Sequence, residues 1–199
     1  MYTLEDGKFA VKAARKTISA LLNNKPKPKF KFPEKFNDKS GVFVTLNTYP
    51  DNQLRGCIGY PEPHTKLKLA LLDSAVSAST RDPRFNPVSK SELNNIVIEV
   101  SLLTPPKLIK VKKPQEYLDK VKIGKDGLIV EKGPYRGLLL PQVPIEWGWD
   151  VETFLAHTCM KAGMSPDSWF EKDVKFYKFS AEIFSETEPG GKVVRKKLE

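Results

Sequence analysis

The segment LRGCIGY, residues 54–60, combines residue types whose spacing could support chemistry. Cys57 follows Gly56 directly and precedes Gly59 by two positions, so a ligand or another chain segment could approach the backbone closely. In an extended strand Arg55 and Cys57 point to the same face. A neighbouring guanidinium favours the nucleophilic thiolate. We therefore predict Cys57 and Arg55 as catalytic residues; the alternative is a buried cysteine that acts as a small apolar side chain.

A second candidate group lies in the loop RDPRF, residues 81–85, whose path is restricted by proline. Asp82 and Arg84 could hold an anionic substrate group through charge-assisted hydrogen bonds. An internal Asp–Arg brace that stabilises the loop explains the same residues. We place Asp82 and Arg84 in a predicted substrate-binding set, together with Gly56 and Gly59 of the preceding segment.

The segment LPQVPIEWGWD, residues 140–150, contributes two further polar candidates beside two tryptophans. Gln142 and Glu146 could supply hydrogen bonds to a substrate, and Trp147 and Trp149 could stack on a planar ligand. The alternative is that the tryptophans close a seam between two parts of the protein. Gln142 and Glu146 complete the predicted substrate-binding set.

Few other residues suggest chemistry. His64 is close to Cys57 in sequence and is a candidate base. His157 and Cys159 are two residues apart on a predicted helix, about 200° around it, and so cannot share a site; we predict Cys159 in the core and His157 as a structural residue. Cys/His spacings typical of zinc sites, glycine-rich phosphate loops and dinucleotide fingerprints are absent. We predict no metal and no cofactor.

Composition favours one domain in a reducing cytoplasm. The chain has 199 residues, 40% of them hydrophobic, which is enough for a substantial core. No apolar run approaches the roughly 20 residues of a membrane span, and the N-terminus lacks the apolar region of a secretory signal. Two cysteines cannot form a disulfide framework.

The net charge of +9 is concentrated near the N-terminus. Residues 1–40 contain ten Lys/Arg and four Asp/Glu, and the lysines of residues 25–36 alternate with proline and phenylalanine. This pattern predicts a solvated, extended linker over 25–36. The alternative is a surface that contacts nucleic-acid phosphates. Lysine-rich surfaces are also typical of heat-adapted proteins, which weakens the nucleic-acid interpretation.

Periodicity predicts an α+β protein with a mostly antiparallel sheet flanked by helices. Thr3 and Asp6 resemble a helix capping box. A helix beginning after Asp150 is also expected. The tail, 187–199, is predicted to be mobile. The remaining elements are helices over 3–22 and 65–80, strands over 41–49, 54–60, 94–104 and 174–184, and a three-stranded meander over 121–142.

The sequence resembles the AMME-syndrome chromosomal-region (AMME-CR) family over roughly residues 2–186. The resemblance rests on the ordered segments LRGCIGY, RDPRFNPVSKSEL, NNIVIEVSLL, GLLLPQV and FLAHTCMKAGM. It implies an α+β fold of two unequal subdomains with a cleft between them, and a cytosolic protein of no settled activity. Association with a Memo-like or a radical-SAM protein is a further implication. Residues 54–59 and 82–85 fall on the motif positions.

Three hypotheses follow for the function. The first is an enzyme or small-molecule binder that uses the cleft, with Cys57 as nucleophile or thiolate ligand. Arg55 would activate Cys57 or pair with an anionic substrate. The second is a non-catalytic adaptor for a protein or nucleic-acid partner, favoured by the basic charge. The third gives LRGCIG an architectural role, in which its glycines let helix 65–80 lie close to the strand.

Overall fold

A computed structural model describes residues 2–196. The chain divides into two compact units, a first unit of residues 2–103 and 182–196 and a second unit of residues 104–181. Each unit contains its own antiparallel sheet with helices. The predicted α+β class is therefore confirmed.

Five helices and nine strands follow one another along the described residues. The helices are α1 (Leu4–Leu22), α2 (Leu67–Thr80), α3 (Glu116–Lys120), α4 (Val143–Glu146) and α5 (Val151–Lys161). The strands are β1 (Val42–Thr48), β2 (Leu54–Tyr60), β3 (Ile96–Leu103), β4 (Lys107–Leu108), β5 (Gly127–Lys132), β6 (Tyr135–Leu139), β7 (Lys175–Phe179), β8 (Ala181–Glu186) and β9 (Val193–Lys196). Short 3₁₀ helices cover Glu34–Asn37, Ser91–Asn95 and Pro166–Phe170.

The first unit is a five-stranded sheet in the order β2-β1-β3-β8-β9, with α1 and α2 packed on one face. Val42, Val44 and Leu46 of β1 point to that face and are fully buried. The predicted capping box begins α1, because the Thr3 hydroxyl accepts from the Asp6 amide and the Asp6 carboxylate accepts from the Thr3 amide. Alternate residues of the strands point to the opposite face of this sheet.

Gly56 lies where α2 crosses β2. A Cβ at this position would collide with the backbone carbonyl oxygen of Ala78 on α2. Glycine is therefore required by the close approach of helix and strand, as the architectural hypothesis expects. The inward positions predicted for α2, including Leu67, Leu71 and Ala75, are all buried.

The second unit is a four-stranded sheet in the order β4-β7-β5-β6. Its core joins Leu128 and Val130 of β5 to Phe154 and Cys159 of α5, and Cys159 is fully buried as predicted. Asp150 caps α5 by accepting a hydrogen bond from the Thr153 amide at 2.8 Å. These contacts form a hydrophobic core within the second unit.

Two of the predicted strand regions differ from the structure. The single strand expected over 174–184 is two strands, β7 and β8, which belong to different sheets and meet at Ser180. There the Thr104 amide donates a hydrogen bond to the Ser180 carbonyl, and the Ser180 amide donates one to the Thr104 hydroxyl. The stretch 121–126 is a turn instead of a strand, since the Asp126 carboxylate accepts from the Lys122 amide.

The predicted mobile tail includes an ordered strand. Residues 193–196 form β9, which pairs with β8 and buries Val193. Residues 193–196 therefore form a strand because they pair with β8 and bury Val193, although their composition predicted a mobile tail. Residues 197–199 of the predicted tail lie outside the described residues.

Residues 25–33 contain neither helix nor strand, but the segment is not solvated throughout. Phe30 and Phe32 pack on Phe9 of α1, with ring centroids 6.4 and 5.2 Å away. The alternation of lysine and phenylalanine therefore places aromatic rings on the core and leaves the lysines in solvent. Within residues 2–196, no helix is both long and apolar enough to cross a bilayer.

We expect the substitution Gly56→Ala to destabilise the protein by about 1–3 kcal/mol, the usual cost of overpacking a core. The reason is that its methyl group would force α2 away from β2 at the Ala78 carbonyl. Chemical denaturation monitored by circular dichroism measures the change. An unchanged unfolding midpoint would show that a methyl group at residue 56 fits between α2 and β2 without displacing either.

Candidate functional site

Cross-strand pairing places Cys57 in a polar row on the sheet face opposite α1 and α2. Thr45 on β1 pairs with Cys57 on one side and with Glu99 on β3 on the other. The Thr45 hydroxyl donates a hydrogen bond to the Cys57 sulfur at 3.3 Å. Glu99 forms an ion pair with Lys196 of β9 at 2.7 Å. The half-buried thiol is thus one end of a row of hydrogen-bonding side chains.

The loop after α2 is tied to β2 through Asp82. One carboxylate oxygen accepts from the Cys57 amide and from Nη2 of Arg84, each at 2.8 Å. The other accepts from the Arg84 amide at 3.1 Å and from its Nε at 2.9 Å. Nη2 of Arg84 also donates to the Cys57 carbonyl at 3.2 Å. Asp82 and Arg84 therefore clamp both backbone polar groups of Cys57, which is the internal brace considered from the sequence.

Charge stabilises this clamp. The Arg84 guanidinium holds the pKa of the Asp82 carboxyl far below its usual range, although burial of the carboxyl opposes the effect. The Asp82 side chain is only 2% exposed. Asp82 raises the pKa of Arg84 in return. The pair remains ionised under all ordinary solution conditions.

Arg55 is engaged by a different carboxylate. Its Nε donates to Glu92 at 2.8 Å, and this interaction lowers the pKa of Glu92 to about 2. Both guanidinium groups lie over the ring of Phe85, with the guanidinium carbons of Arg55 and Arg84 at 5.9 and 5.5 Å from its centroid. Phe85 therefore joins the Arg55–Glu92 pair and the Asp82–Arg84 clamp into one cluster.

The thiol of Cys57 is less acidic than a free cysteine. Burial raises its pKa, and the charges of Asp82 and Glu99 add to the rise. The Thr45 hydrogen bond and the Arg84 charge oppose it without reversing it. The expectation that Arg55 lowers this pKa is therefore wrong, because Arg55 is directed to Glu92 and burial dominates. At neutral pH Cys57 is a thiol.

The two glycines of the predicted set face opposite sides of the sheet. Gly56 points to α2 and serves packing there, as described above. Gly59 pairs with Phe43, and a Cβ at Gly59 would strike the Phe43 ring. Gly59 therefore leaves room for an aromatic ring on the face that carries Cys57.

The remaining predicted residues belong to other parts of the chain. Gln142 and Glu146 lie at α4 in the second unit, whereas the hydrogen-bonded cluster around Cys57 consists of first-unit residues. Oε1 of Gln142 is buried without a hydrogen-bond partner among residues 2–196, and Glu146 is exposed. His64 is 76% exposed and lies 2.7 Å from Glu62, with no hydrogen bond to the thiol.

His157 stacks on Trp149 in the second unit, with ring centroids 3.9 Å apart and planes inclined by 11°. Trp149 in turn stacks on Trp147, which is 70% exposed. Within residues 2–196, no group of three or more His, Cys, Asp or Glu side chains is arranged to hold a metal ion.

Sequence reasoning missed Thr45, Glu92 and Glu99. Thr45 could have been found, since alternation in the strand of residues 41–49 places it opposite the apolar face. Glu92 and Glu99 carry no local signal, because their roles depend on the loop that returns to β2 and on the pairing of β1 with β3.

The fold and the cluster define an α+β protein with a cysteine whose backbone is clamped by an Asp–Arg pair. A family model described as AMMECR1 matches residues 11–184. The chain belongs to the AMMECR1 family, as the motifs of the sequence indicated.

Archaeal relatives cover nearly the whole chain. Protein MJ0810 of Methanocaldococcus jannaschii is 59% identical over 198 residues, covering 100% of this chain and 98% of its own. Protein PF1979 of Pyrococcus furiosus is 52% identical, covering 100% of this chain and 97% of its own. The crystal structure of PH0010 from Pyrococcus horikoshii matches with a TM-score of 0.82 and 52% identity, covering 98% of both chains. The names of these relatives state no biochemical activity.

We expect Asp82→Asn to destabilise the protein by about 1–3 kcal/mol at pH 7, because the amide nitrogen cannot accept the bonds that the carboxylate accepts. The pKa of Asp82 is lowered by folding, so its stabilisation is complete above the ordinary value of about 3.9 and is lost as the pH falls below it. Urea unfolding at several pH values should therefore show the gap between wild type and variant closing as the pH is lowered from about 5 to about 2. A gap that stays constant would contradict the assigned charge pairing.

We expect Cys57 to react with iodoacetamide along a pH profile whose midpoint lies above the value of about 8.5 usual for free cysteine, because burial disfavours the thiolate. Peptide mass spectrometry separates Cys57 from Cys159, whose pKa burial raises to about 12. A midpoint below that of N-acetylcysteine would instead support the sequence-based prediction that Cys57 is an activated nucleophile.

Proposed function

We propose that the protein binds a small molecule carrying an oxyanion, such as a carboxylate, at the cluster around Cys57. Arg84 would be the anion-binding residue, with Cys57 and Thr45 as hydrogen-bonding neighbours. The proposal rests on the Arg84 guanidinium, because only two of its three nitrogen atoms are hydrogen-bonded within the described protein. Its Nε and Nη2 are held by Asp82 and by the Cys57 carbonyl, whereas Nη1 has no partner among residues 2–196.

The clamp prepares Arg84 for binding. The Arg84 side chain is 53% exposed, although its inner edge is fixed by a carboxylate that is 2% exposed. An arginine held in one orientation loses less conformational entropy when it binds a ligand than a free arginine does. Its planar donors also suit the oxygens of a carboxylate.

The neutral state of the thiol favours binding over nucleophilic catalysis. A thiolate is the reactive form of cysteine, and the raised pKa of Cys57 disfavours it. In this proposal Cys57 contacts the ligand, and Arg55 is a positioning residue that holds Phe85 and Glu92 around the loop.

Two alkylating reagents of nearly the same size test the proposal. Iodoacetate carries a carboxylate, whereas iodoacetamide is neutral. If Nη1 of Arg84 receives an oxyanion beside Cys57, the ratio of the iodoacetate rate to the iodoacetamide rate should exceed the ratio measured for N-acetylcysteine. Substitution Arg84→Gln should lower that ratio by about tenfold, the effect of one charge-assisted hydrogen bond.

Arg81→Gln is the matched control, because Arg81 lies at the start of the same loop and its side chain is 63% exposed near Asp73. It should leave the ratio unchanged, which separates a local anion site from the general positive charge of the protein. Cys57→Ser supplies the blank for any reaction at Cys159. A wild-type ratio equal to that of N-acetylcysteine, or equal losses in the Arg84 and Arg81 variants, would refute the proposal.

A further inference from the structure

The second unit contains a cavity of about 730 Å³ that is lined by two chain segments. The first is residues 108–117, from β4 through the connector into α3, and the other is residues 170–175, which lead into β7. The volume lies within the range of about 300–1,000 Å³ typical of small-molecule sites. Both segments belong to the second unit, and none of the lining residues belongs to the Cys57 cluster.

The lining carries positive charge that the described residues do not neutralise. Five lysines line the cavity: Lys110, Lys112, Lys113, Lys172 and Lys175. None of their ammonium groups has an ion pair or hydrogen bond within residues 2–196. The one carboxylate of the described lining, Glu171, is paired with Lys132, and the adjacent Glu116 is paired with Lys120. The cavity therefore favours an anion.

The same cavity has apolar walls. Leu108 and Phe170 are 44% and 43% exposed although both are large apolar side chains. Behind them Ile109, Tyr117 and Val174 are buried in the core of the second unit. A ligand with an apolar or aromatic body would remove Leu108 and Phe170 from water, which is favourable.

We propose that this cavity binds a small organic phosphate in which several negative charges are joined to an apolar or aromatic body, as in a nucleoside triphosphate. Lysine ammonium groups bind phosphate as point charges. An inorganic anion would leave Leu108 and Phe170 exposed, and a neutral apolar molecule would leave five ammonium groups without counter-charge. Only a ligand with both parts matches both features of the lining.

Isothermal titration calorimetry with ATP, inorganic triphosphate and adenosine tests this proposal. ATP should bind more tightly than triphosphate, and adenosine should show no detectable binding. The dissociation constant for ATP should rise with salt, because the lysines are solvent-accessible and screened. The double substitution K112Q/K113Q should weaken ATP and triphosphate alike, by about tenfold or more. Leu108→Ala should weaken ATP and leave triphosphate unchanged.

The pair K125Q/K161Q is the matched control, since both lysines are exposed, belong to the second unit and do not line the cavity. It should change the dissociation constant for ATP by no more than about twofold, the size of a general surface-charge effect. Thermal melting should show that all variants remain folded. ATP binding should persist in Cys57→Ser and Arg84→Gln, so failure of the Cys57 proposal would leave this one standing.

Three results would overturn the inference. The first is the absence of ATP binding at 50 mM salt. The second is an equal loss in K112Q/K113Q and K125Q/K161Q, which would indicate unspecific charge attraction. The third is a single-stranded oligonucleotide that binds more than tenfold tighter than ATP with the same dependence on Lys112 and Lys113, which would make the occupant a nucleic acid.

Discussion

The structure of the first unit around Cys57 depends on the buried carboxylate of Asp82. It accepts four hydrogen bonds, one from the amide of Cys57 and three from Arg84. An isolated carboxylate in that position would be strongly disfavoured, so the loop can close on β2 only with the arginine in place. The same requirement fixes the orientation of Arg84 and brings Phe85 against Arg55. Stability and the candidate site thus share one ion pair.

The segments LRGCIG and DPRF depend on each other in this arrangement. LRGCIG supplies the strand whose backbone at Cys57 is clamped, and DPRF supplies the clamp. Gly56 lets α2 approach β2 closely, and α2 ends directly before the DPRF loop. Close helix packing and loop closure are therefore coupled. An architectural role for LRGCIG and a binding role for its exposed neighbours are compatible, because they use opposite faces of the sheet.

In the second unit, the lysines that line the cavity are not paired with the neighbouring carboxylates. Glu116 and Glu171 are paired with lysines outside the cavity, whereas the five lysines of the lining have no such partners in the described part of the chain, residues 2–196. Part of the overall charge of +9 is therefore concentrated beside exposed apolar side chains. The four lysines of residues 25–33 instead alternate with prolines and phenylalanines, and the phenylalanines hold this segment on α1.

Local patterns were sufficient for much of the fold. The capping box of Thr3 and Asp6, the strand of residues 54–60 and the inward face of α2 all follow from neighbouring residues, and all are present. Local patterns could not divide residues 174–184 between two sheets, because this stretch contains no glycine or proline that would mark the end of a strand. Nor could they reveal β9, whose order depends on pairing with β8.

By itself the sequence indicated the family and the α+β class, and it selected Cys57, Asp82 and Arg84 as candidate site residues. Only the tertiary structure decided what these residues do to one another. The spacing of Arg55 and Cys57 along a strand suggested that Arg55 activates the thiol. The interaction partners of an arginine, however, depend on contacts between segments that are distant in the sequence. Those contacts direct Arg55 to Glu92 and Arg84 to the backbone of Cys57. The pKa of the thiol rises for a similar reason, since burial is a property of the folded chain and cannot be read from neighbouring residues.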